Sequence, residues 1–258
     1  MIVVISPAKT LDFESKPITK SFTLPDHLEK SMLIIKKLQT FSQKKVSELM
    51  NISESLSKLN VQRYKDWNGD FSTKTARQSI LAFKGDVYIG LEAETFKEKD
   101  FLFAQKHLLI LSGLHGYLHP LDLMMPYRLE MGTSLKIGKA KNLYDYWNED
   151  VTNFINQSTE GHKEKTLINL ASEEYFKVIN KKNLSISLLN IEFKEKKGAD
   201  YKTIGFFAKK ARGYMASYII KNKIEKSNEL KNFNTAGYSF NGKLSNSLNW
   251  IFTRDQAE

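Results

Sequence analysis

The sequence predicts an α+β fold, a single compact unit of mixed helices and short strands with an antiparallel hairpin. The apolar run Ile2–Ile5 is typical of a buried strand, and apolar residues recur at helical spacing between positions 28 and 41. Two strand-like runs, 185–194 and 201–207, flank the turn-prone sequence EKKGAD. No repeat or Pro/Gly-rich linker divides the chain, so we expect one domain over residues 1–258. No regular series of βαβ units is visible.

The elements follow in order from local signals. Pro25 lies at a predicted helix start, and four serines are placed as N-caps of later helices. Ser42, Ser53, Ser72 and Ser172 are expected to begin helices at 43–50, 54–67, 73–83 and 173–179. Further helices are predicted at 97–105, 143–155 and 208–223, the last interrupted by Gly213, and strands at 108–111 and 167–170. Gly85 and Gly90 bracket a predicted turn or short strand at 86–89, and 112–132 is predicted to be mostly loop.

Composition excludes several classes of protein. Hydrophobic residues make up 41% of the chain and charged residues 26%, which is ordinary for a globular protein. The absence of cysteine excludes a disulfide scaffold, a thiol nucleophile, Cys-ligated zinc and an iron–sulfur cluster. No apolar run reaches the length of a membrane span, and Ile2–Ile5 has no basic flank of the kind that a signal peptide carries. We therefore expect a cytoplasmic protein with no membrane partner.

The positive charge is concentrated in one segment. The chain has 39 basic and 29 acidic residues, a net charge of +10, and residues 177–231 hold fourteen of the basic and five of the acidic ones. Such clustering suits a polyanion. Only five basic residues are arginine. Because bidentate arginine is the main reader of base edges, the composition favours recognition of the phosphate backbone over base sequence. Lysine-rich solvated surface is the alternative interpretation.

The stretch 46–57, VSELMNISESLS, has the spacing of a helix-hairpin-helix element, which we place at residues 44–66. In such an element a tight turn exposes backbone N–H groups that bind a phosphate. Asn51 tolerates the left-handed angles that glycine usually supplies there, whereas Ser53 as an N-cap would occupy one donor. An ordinary capped helical hairpin is the alternative. The candidate DNA-contacting residues here are Lys44, Lys45, Asn51, Ser53, Lys58 and Arg63.

Four cations lie in stretches whose neighbours are predicted to be buried. They are Lys9, Arg77, Lys84 and Arg128. A cation beside a core needs a carboxylate partner or a ligand anion. Asp12, Asp86 and Glu130 are near enough in sequence to serve as internal partners. A second basic group, Lys209, Lys210 and Arg212, crowds the first turns of the predicted helix at 208–223, where an amphipathic surface helix is the alternative interpretation.

Metal and enzyme signatures are weak. His115 and His119 have a metal-ligand spacing for a helix, but Gly116 and Pro120 oppose a helix there and no third ligand is evident. The sequence has no Walker loop, no dinucleotide fingerprint and no Gly-x-Ser-x-Gly elbow. We expect no metal site and no cofactor.

Five stretches together resemble the YaaA family, in order and spacing, over essentially the whole chain. They are SPAKTLDF at 6–13, ILAFKGDVYIGL at 80–91, LSGLHGYLHPLDLMMPYRLEMG at 111–132, INLASEEYF at 168–176 and FAKKARG at 207–213. The histidines at 115 and 119, and the stretch after Tyr238, depart from the family pattern. No shared function is therefore assigned to them.

The resemblance implies a bacterial cytoplasmic protein linked to hydrogen peroxide resistance through lower free iron and less DNA damage. It implies one α+β unit with a basic cleft and a helix-hairpin-helix-like element, binding duplex DNA and DNA with unpaired regions. The basic residues within or beside the matching motifs are Lys9, Arg77, Lys84, Arg128, Lys177, Lys209, Lys210 and Arg212.

We therefore interpret the chain as a monomeric DNA-binding protein of the peroxide stress response that recognises backbone charge and shape, mainly independently of sequence. The alternative is an enzyme acting on damaged nucleic acid or on a nucleotide, in a cleft formed by 6–12, 84–86 and 127–130. A third hypothesis is weak iron binding by carboxylates, which the poor grouping of histidines argues against.

Overall fold

A computed structural model describes residues 1–255 and divides them between helices and one large sheet. The helices are α1 (Leu28–Gln39), α2 (Gln43–Met50), α3 (Glu54–Asp66), α4 (Ser79–Ala82), α5 (Asp86–Leu91), α6 (Glu98–His107), α7 (Leu143–Ser158), α8 (Glu173–Phe176) and α9 (Gly205–Asn222). The strands are β1 (Ile2–Ile5), β2 (Thr10–Leu11), β3 (Arg77–Gln78), β4 (Phe83–Lys84), β5 (Leu108–Ser112), β6 (Gly116–Leu118), β7 (Leu123–Met124), β8 (Thr166–Asn169), β9 (Ser187–Lys197), β10 (Asp200–Lys202), β11 (Ser239–Phe240) and β12 (Asn249–Arg254). Within this part of the chain no helix is both long enough and apolar enough to cross a membrane.

The large sheet is parallel at its centre. Its order is β11-β12-β9-β8-β1-β5-β6, with β10 paired antiparallel to β9. Strand β1 pairs in parallel with β5 on one side and β8 on the other, and all four of its residues are buried. A strand covered on both faces reads as an unbroken apolar run, which is why Ile2–Ile5 was recognisable in the sequence. The α+β class and the antiparallel hairpin of β9 and β10 are both confirmed, but the second strand, predicted over 201–207, ends at Lys202, and α9 begins at Gly205.

The order of the central strands creates a switch point between β1 and β8. The chain leaves β1 and next enters the large sheet at β5, on one side, whereas it leaves β8 and next enters the sheet at β9, on the opposite side. The chain therefore crosses to opposite sides of the sheet after these two strands, which makes their carboxyl ends the switch point and the expected place of a crevice. In open α/β sheets, ligands bind in crevices of this kind.

Two helices beside this crevice touch through their backbones. A Cβ atom added to Gly213 of α9 would lie 1.9 Å from the carbonyl oxygen of Val87, and one added to Gly90 of α5 would lie 2.1 Å from the carbonyl oxygen of Lys210. No side chain fits at either position. The prediction that Gly213 interrupts its helix was wrong, because α9 runs unbroken through it.

Two further predictions near this contact were wrong. Residues 86–89, predicted as a turn or short strand, lie in α5, since Gly85 begins that helix and Gly90 is used for packing. Residues 73–83, predicted as one helix after Ser72, divide into β3, α4 and β4. Strand β3 pairs with β7, and the Ser79 N–H donates to the carbonyl oxygen of Asp122 at 2.8 Å. These contacts with residues distant in sequence override the local helical signal.

The helical hairpin at α2 and α3 forms as its caps predicted. Ser42 and Ser53 accept hydrogen bonds from the N–H groups of Lys45 and Leu56, each at 3.3 Å. Asn51 ends α2 in the left-handed conformation, with φ of 49°. The phosphate-binding role of this hairpin stays a prediction.

We predict that Gly213→Ala lowers the free energy of unfolding by about 3 kcal/mol, because the new methyl group must displace backbone atoms of α5. Gly205→Ala is the matched control, since nothing lies within 4 Å of a Cβ at this first residue of α9. Urea unfolding followed by circular dichroism measures both. Equal stability of the two variants would contradict the packing described here.

Candidate functional site

A cleft of about 380 Å³ opens at the carboxyl ends of β1 and β8. All five stretches that resemble the YaaA family contribute to its lining, the stretch at 111–132 through Glu130 alone. The charged side chains around it are Lys9, Lys84, Asp86, Glu130, Glu174, Lys209 and Arg212. We call this space the switch-point cleft.

A small antiparallel ladder positions two of the lysines. Thr10 of β2 pairs with Lys84 of β4, which brings the segment after β1 against the start of α5. Lys9 reaches Glu130, with Nζ and Oε2 3.0 Å apart, while its side chain stays 62% exposed. Lys84 is exposed and has no ion-pair or hydrogen-bond partner among residues 1–255.

Helix α9 supplies two further cations to the same cleft. Lys209 is exposed, and Arg212 lies deeper, half-buried between the switch-point cleft and a neighbouring cavity of about 290 Å³. Burial lowers the pKa of Arg212 because its guanidinium is withdrawn from water. Over the described residues neither side chain makes an ion pair or a hydrogen bond. Their positions depend on the backbone contact between α5 and α9.

Carboxylates line part of the same cleft. Glu130 is held by two cations, Lys9 on Oε2 and Arg128 on Oε1, each at 3.0 Å. Glu174 accepts a hydrogen bond from the Gly132 N–H at 3.1 Å. Asp86, at the first residue of α5, has no such partner in the described part of the chain. The cleft therefore offers both positive groups and hydrogen-bond acceptors.

The segments that follow β1 and β8 are locked together at the cleft. The Ser172 N–H donates to the Ser6 hydroxyl at 2.8 Å, and this hydroxyl donates to the Ser172 hydroxyl at 3.2 Å. The Tyr88 hydroxyl donates to the carbonyl oxygen of Ser6 at 3.2 Å. Burial raises the pKa of Tyr88 and of Tyr175, so both phenols stay neutral near pH 7. Ser6 lies in the stretch 6–12 that the sequence assigned to a cleft, whereas Ser172 and the two tyrosines were not predicted as site residues, because nothing in their local sequence distinguishes them.

A second depression extends the cleft toward the helical hairpin. It has a volume of about 340 Å³, and its lining includes Asp12, Lys84 and Arg63 of α3. Lys84 thus lines both the switch-point cleft and this second depression. Arg212 likewise lines both the switch-point cleft and the neighbouring cavity of about 290 Å³. The Tyr64 hydroxyl donates to the carbonyl oxygen of Arg128, which fixes α3 to the segment that carries Glu130. Shared lining residues therefore link three neighbouring depressions, from α3 to the middle of β9.

Two of the predicted DNA contacts are paired inside the protein. Arg77 is only 8% exposed and faces Asp12 at 3.6 Å. Its guanidinium also donates to the carbonyl oxygen of Ser15. Arg128 has a side chain that is 15% exposed and is paired with Glu130. These are two of the internal partners that the sequence suggested, and they make both arginines organisers of the cleft wall instead of a surface for a polyanion.

Two other predicted contacts lie outside the cleft. Lys177 ends α8 and pairs with Glu173 at 3.2 Å. Lys210 follows Lys209 in α9 but lines a different pocket, where its Nζ lies 5.6 Å from the ring centre of Tyr214. The basic group 209–212 is therefore divided between two sites.

The residues predicted in the helical hairpin are largely exposed. The side chains of Lys44, Lys45 and Lys58 make no ion pair within residues 1–255, and Asn51 and Ser53 are also exposed. These five side chains are exposed on the helical hairpin, and Arg63 of α3, which is half-buried, lines the second depression.

The two histidines with metal-ligand spacing are separated in the fold. His115 is fully buried and its Nδ1 lies 3.0 Å from the Ser31 hydroxyl, whereas His119 Nδ1 lies 3.1 Å from the Gln105 carbonyl oxygen. Among the described residues no group of three or more histidine, aspartate or glutamate side chains is placed to hold a metal ion.

The fold and the cleft define a class, an α+β protein with a cleft lined by both cations and carboxylates at the switch point of a central parallel sheet. The family model for the peroxide stress protein YaaA matches residues 1–244, and the chain belongs to this family. The chain is 47% identical over 256 residues to a UPF0246 protein of Cellvibrio japonicus (strain Ueda107), and the match spans 99% of each of the two chains.

The Asp12 carboxylate supports a prediction about acid stability. Hydrogen bonds from Ser15, through its hydroxyl and its N–H, lower the pKa of Asp12 to about 2, with Arg77 adding to the effect. An unfolded aspartate titrates near pH ~3.9. The ionised form therefore stabilises the fold above pH ~4, and this contribution is lost as the pH falls toward 2.

We predict that Asp12→Asn lowers the melting temperature at pH 6 and that the difference from the unmodified protein narrows below pH ~4. Differential scanning calorimetry between pH 3 and pH 6 measures this. Asp70→Asn, at an exposed side chain without a hydrogen bond in the described structure, is the control and should show no such narrowing. A constant difference across the range would contradict the role of Asp12.

Proposed function

We propose that this member of the peroxide stress family binds DNA in the cytoplasm, mainly independently of sequence, and so helps to limit iron-driven oxidative damage. The partner is duplex DNA or DNA with unpaired regions. The protein reads the charge and shape of the phosphate backbone along the surface from the helical hairpin to the switch-point cleft.

One observation carries this proposal: cations from separate elements meet at the cleft without carboxylate partners. Lys84, Lys209 and Arg212 come from β4 and α9, and none has an ion-pair partner within the described residues. Placing three like charges at one cavity is unfavourable unless an anion compensates them. Arg212 strengthens the argument because its guanidinium is withdrawn from water, while Glu192, the carboxylate that favours its charged form, makes no ion pair with it.

The state of the arginines supports backbone recognition over base recognition. Three of the five, Arg77, Arg128 and Arg254, are engaged by Asp12, Glu130 and Glu195. An arginine bound to an internal carboxylate is not available for the bidentate contact with guanine that dominates base readout. The free cations are mostly lysines, which act as point charges for phosphates.

We predict that the triple variant Lys209→Ala, Lys210→Ala, Arg212→Ala weakens binding to all DNA sequences about equally. Its slope of log K against log salt should be shallower by about 2 to 3, since each lost phosphate contact removes about 0.9. Fluorescence anisotropy of labelled duplex, bubble and single-stranded DNA across a salt series measures the slope.

A charge-matched control for this variant is Lys136→Ala, Lys139→Ala, Lys165→Ala. These lysines are exposed and form no ion pair within residues 1–255. Lys165 comes directly before β8, at the amino end of that strand, whereas the cleft lies at its carboxyl end. The control loses the same net charge and should keep its slope. Equal slopes for the two triple variants would remove the cleft from the DNA site and leave only a general effect of net charge.

A second function is favoured by the carboxylates in the cleft. Asp86, Glu130 and Glu174 stand beside cations at the switch point, an arrangement that suits acid–base chemistry on a nucleotide or on damaged nucleic acid. Glu130 and Glu174 have structural partners, but a protein that only neutralised phosphates would have no use for Asp86, which has no partner among the described residues.

We predict that, if this enzyme function holds, lesion-containing duplex incubated with the protein and divalent cations gives cleaved or altered product, and that Asp86→Asn abolishes it. Denaturing gel electrophoresis and mass spectrometry of the strands detect the product. Unchanged strands under all ions tested would leave DNA binding alone as the function.

A further inference from the structure

We propose that the switch-point cleft binds one nucleotide, either extruded from a DNA strand or free in solution. This inference rests on the proposed function, and it assigns the ligand of its innermost site. The chemistry shared by the two sources is one phosphate group, one sugar and one base.

The size of the cleft excludes a duplex and fits a single nucleotide. A volume of about 380 Å³ lies near the lower end of the range of about 300–1,000 Å³ that is usual for small-molecule sites. The major groove of B-DNA alone is about 12 Å wide, so an intact duplex can pass over the cleft but cannot enter it. An extruded nucleotide can enter while its neighbours remain on the surface.

The cations of the cleft would bind the phosphate group of the nucleotide. Lys84 and Lys209 are exposed at the mouth of the cleft, and Arg212 lies deeper, half-buried between two cavities. A planar guanidinium binds a phosphate through two parallel hydrogen bonds, which lysine does not. We assign Arg212 as the inner phosphate ligand and the two lysines as its outer partners.

The carboxylates and tyrosines of the cleft would contact the sugar and the base of the nucleotide. An inorganic anion would be repelled by Asp86 and Glu174, whereas amino groups of a base and hydroxyl groups of a sugar donate hydrogen bonds to carboxylates. Tyr88 and Tyr175 also border the cleft, and because both are more than nine-tenths buried they offer a base an apolar wall and not an open stacking surface. A ligand with one anionic end and several hydrogen-bond donors satisfies both walls, and a nucleotide is of this kind.

Isothermal titration calorimetry with the four deoxynucleoside 5′-monophosphates, the matching nucleosides and inorganic phosphate tests the inference. At least one monophosphate should bind more than about tenfold more tightly than its nucleoside and than phosphate. Arg212→Ala should weaken that binding about tenfold or more, and Lys165→Ala should not change it. If Arg212→Ala does not fold, as judged by circular dichroism, Lys84→Ala at an exposed position replaces it.

A competition experiment identifies the source of the nucleotide. The monophosphate should displace labelled duplex that carries one unpaired nucleotide at concentrations that leave a fully paired duplex bound. If only the duplex with the unpaired nucleotide is displaced, the ligand of the cleft is a nucleotide extruded from DNA. Binding of the monophosphate by a protein that binds neither duplex supports a free nucleotide as the ligand and overturns DNA binding.

Two results would overturn the nucleotide site. One is equal affinity for inorganic phosphate and every monophosphate, which means a site for any anion. The other is the absence of monophosphate binding together with equal affinity for both duplexes, in which case DNA binding stands and the cleft has no separate ligand.

Discussion

The architecture of the site depends on one contact, the direct approach of α5 and α9 through Gly90 and Gly213. Because no Cβ atom separates the two backbones, the charged first half of α9 lies against the start of α5. This places Arg212 opposite Asp86 around a single cleft. A larger side chain at either glycine would push the helices apart and move these groups from the ends of β1 and β8, where the strand order creates the crevice.

Electrostatics then divides the cations of the fold into two groups. Arg77 and Arg128 are buried or nearly so, and each is compensated by a nearby carboxylate, so they stiffen the walls. Lys84, Lys209 and Arg212 form no ion pair with a carboxylate among the described residues, and they line the cleft. Internal pairing therefore accounts for the first group, and the proposed ligand anion would compensate the second. This division explains why a count of basic residues in the sequence overestimates the number of cations available to a ligand.

The sequence predicted those parts of the fold whose signals are local. The apolar run Ile2–Ile5 and the caps Ser42 and Ser53 gave correct elements, because burial and capping are visible within a few residues. The parallel sheet was hidden, since about a hundred residues separate β1 from β5. Gly213 was read as a helix breaker because its reason for being glycine is a partner distant in sequence. The cleft was found through its motifs, but no local feature indicates that Arg77 is paired and Arg212 is not.

The most direct test of the central claim, that the free cations of the switch-point cleft receive a phosphate group, is a spectrum of the arginine side chains. The chain has only five arginines, so the Nε–H signals of uniformly ¹⁵N-labelled protein can be assigned by substitution and followed during titration with duplex DNA. The account predicts that Arg212 shifts first and that Arg254, held by Glu195, stays in place. An unchanged Arg212 signal at saturation, with shifts confined to other arginines, would contradict it.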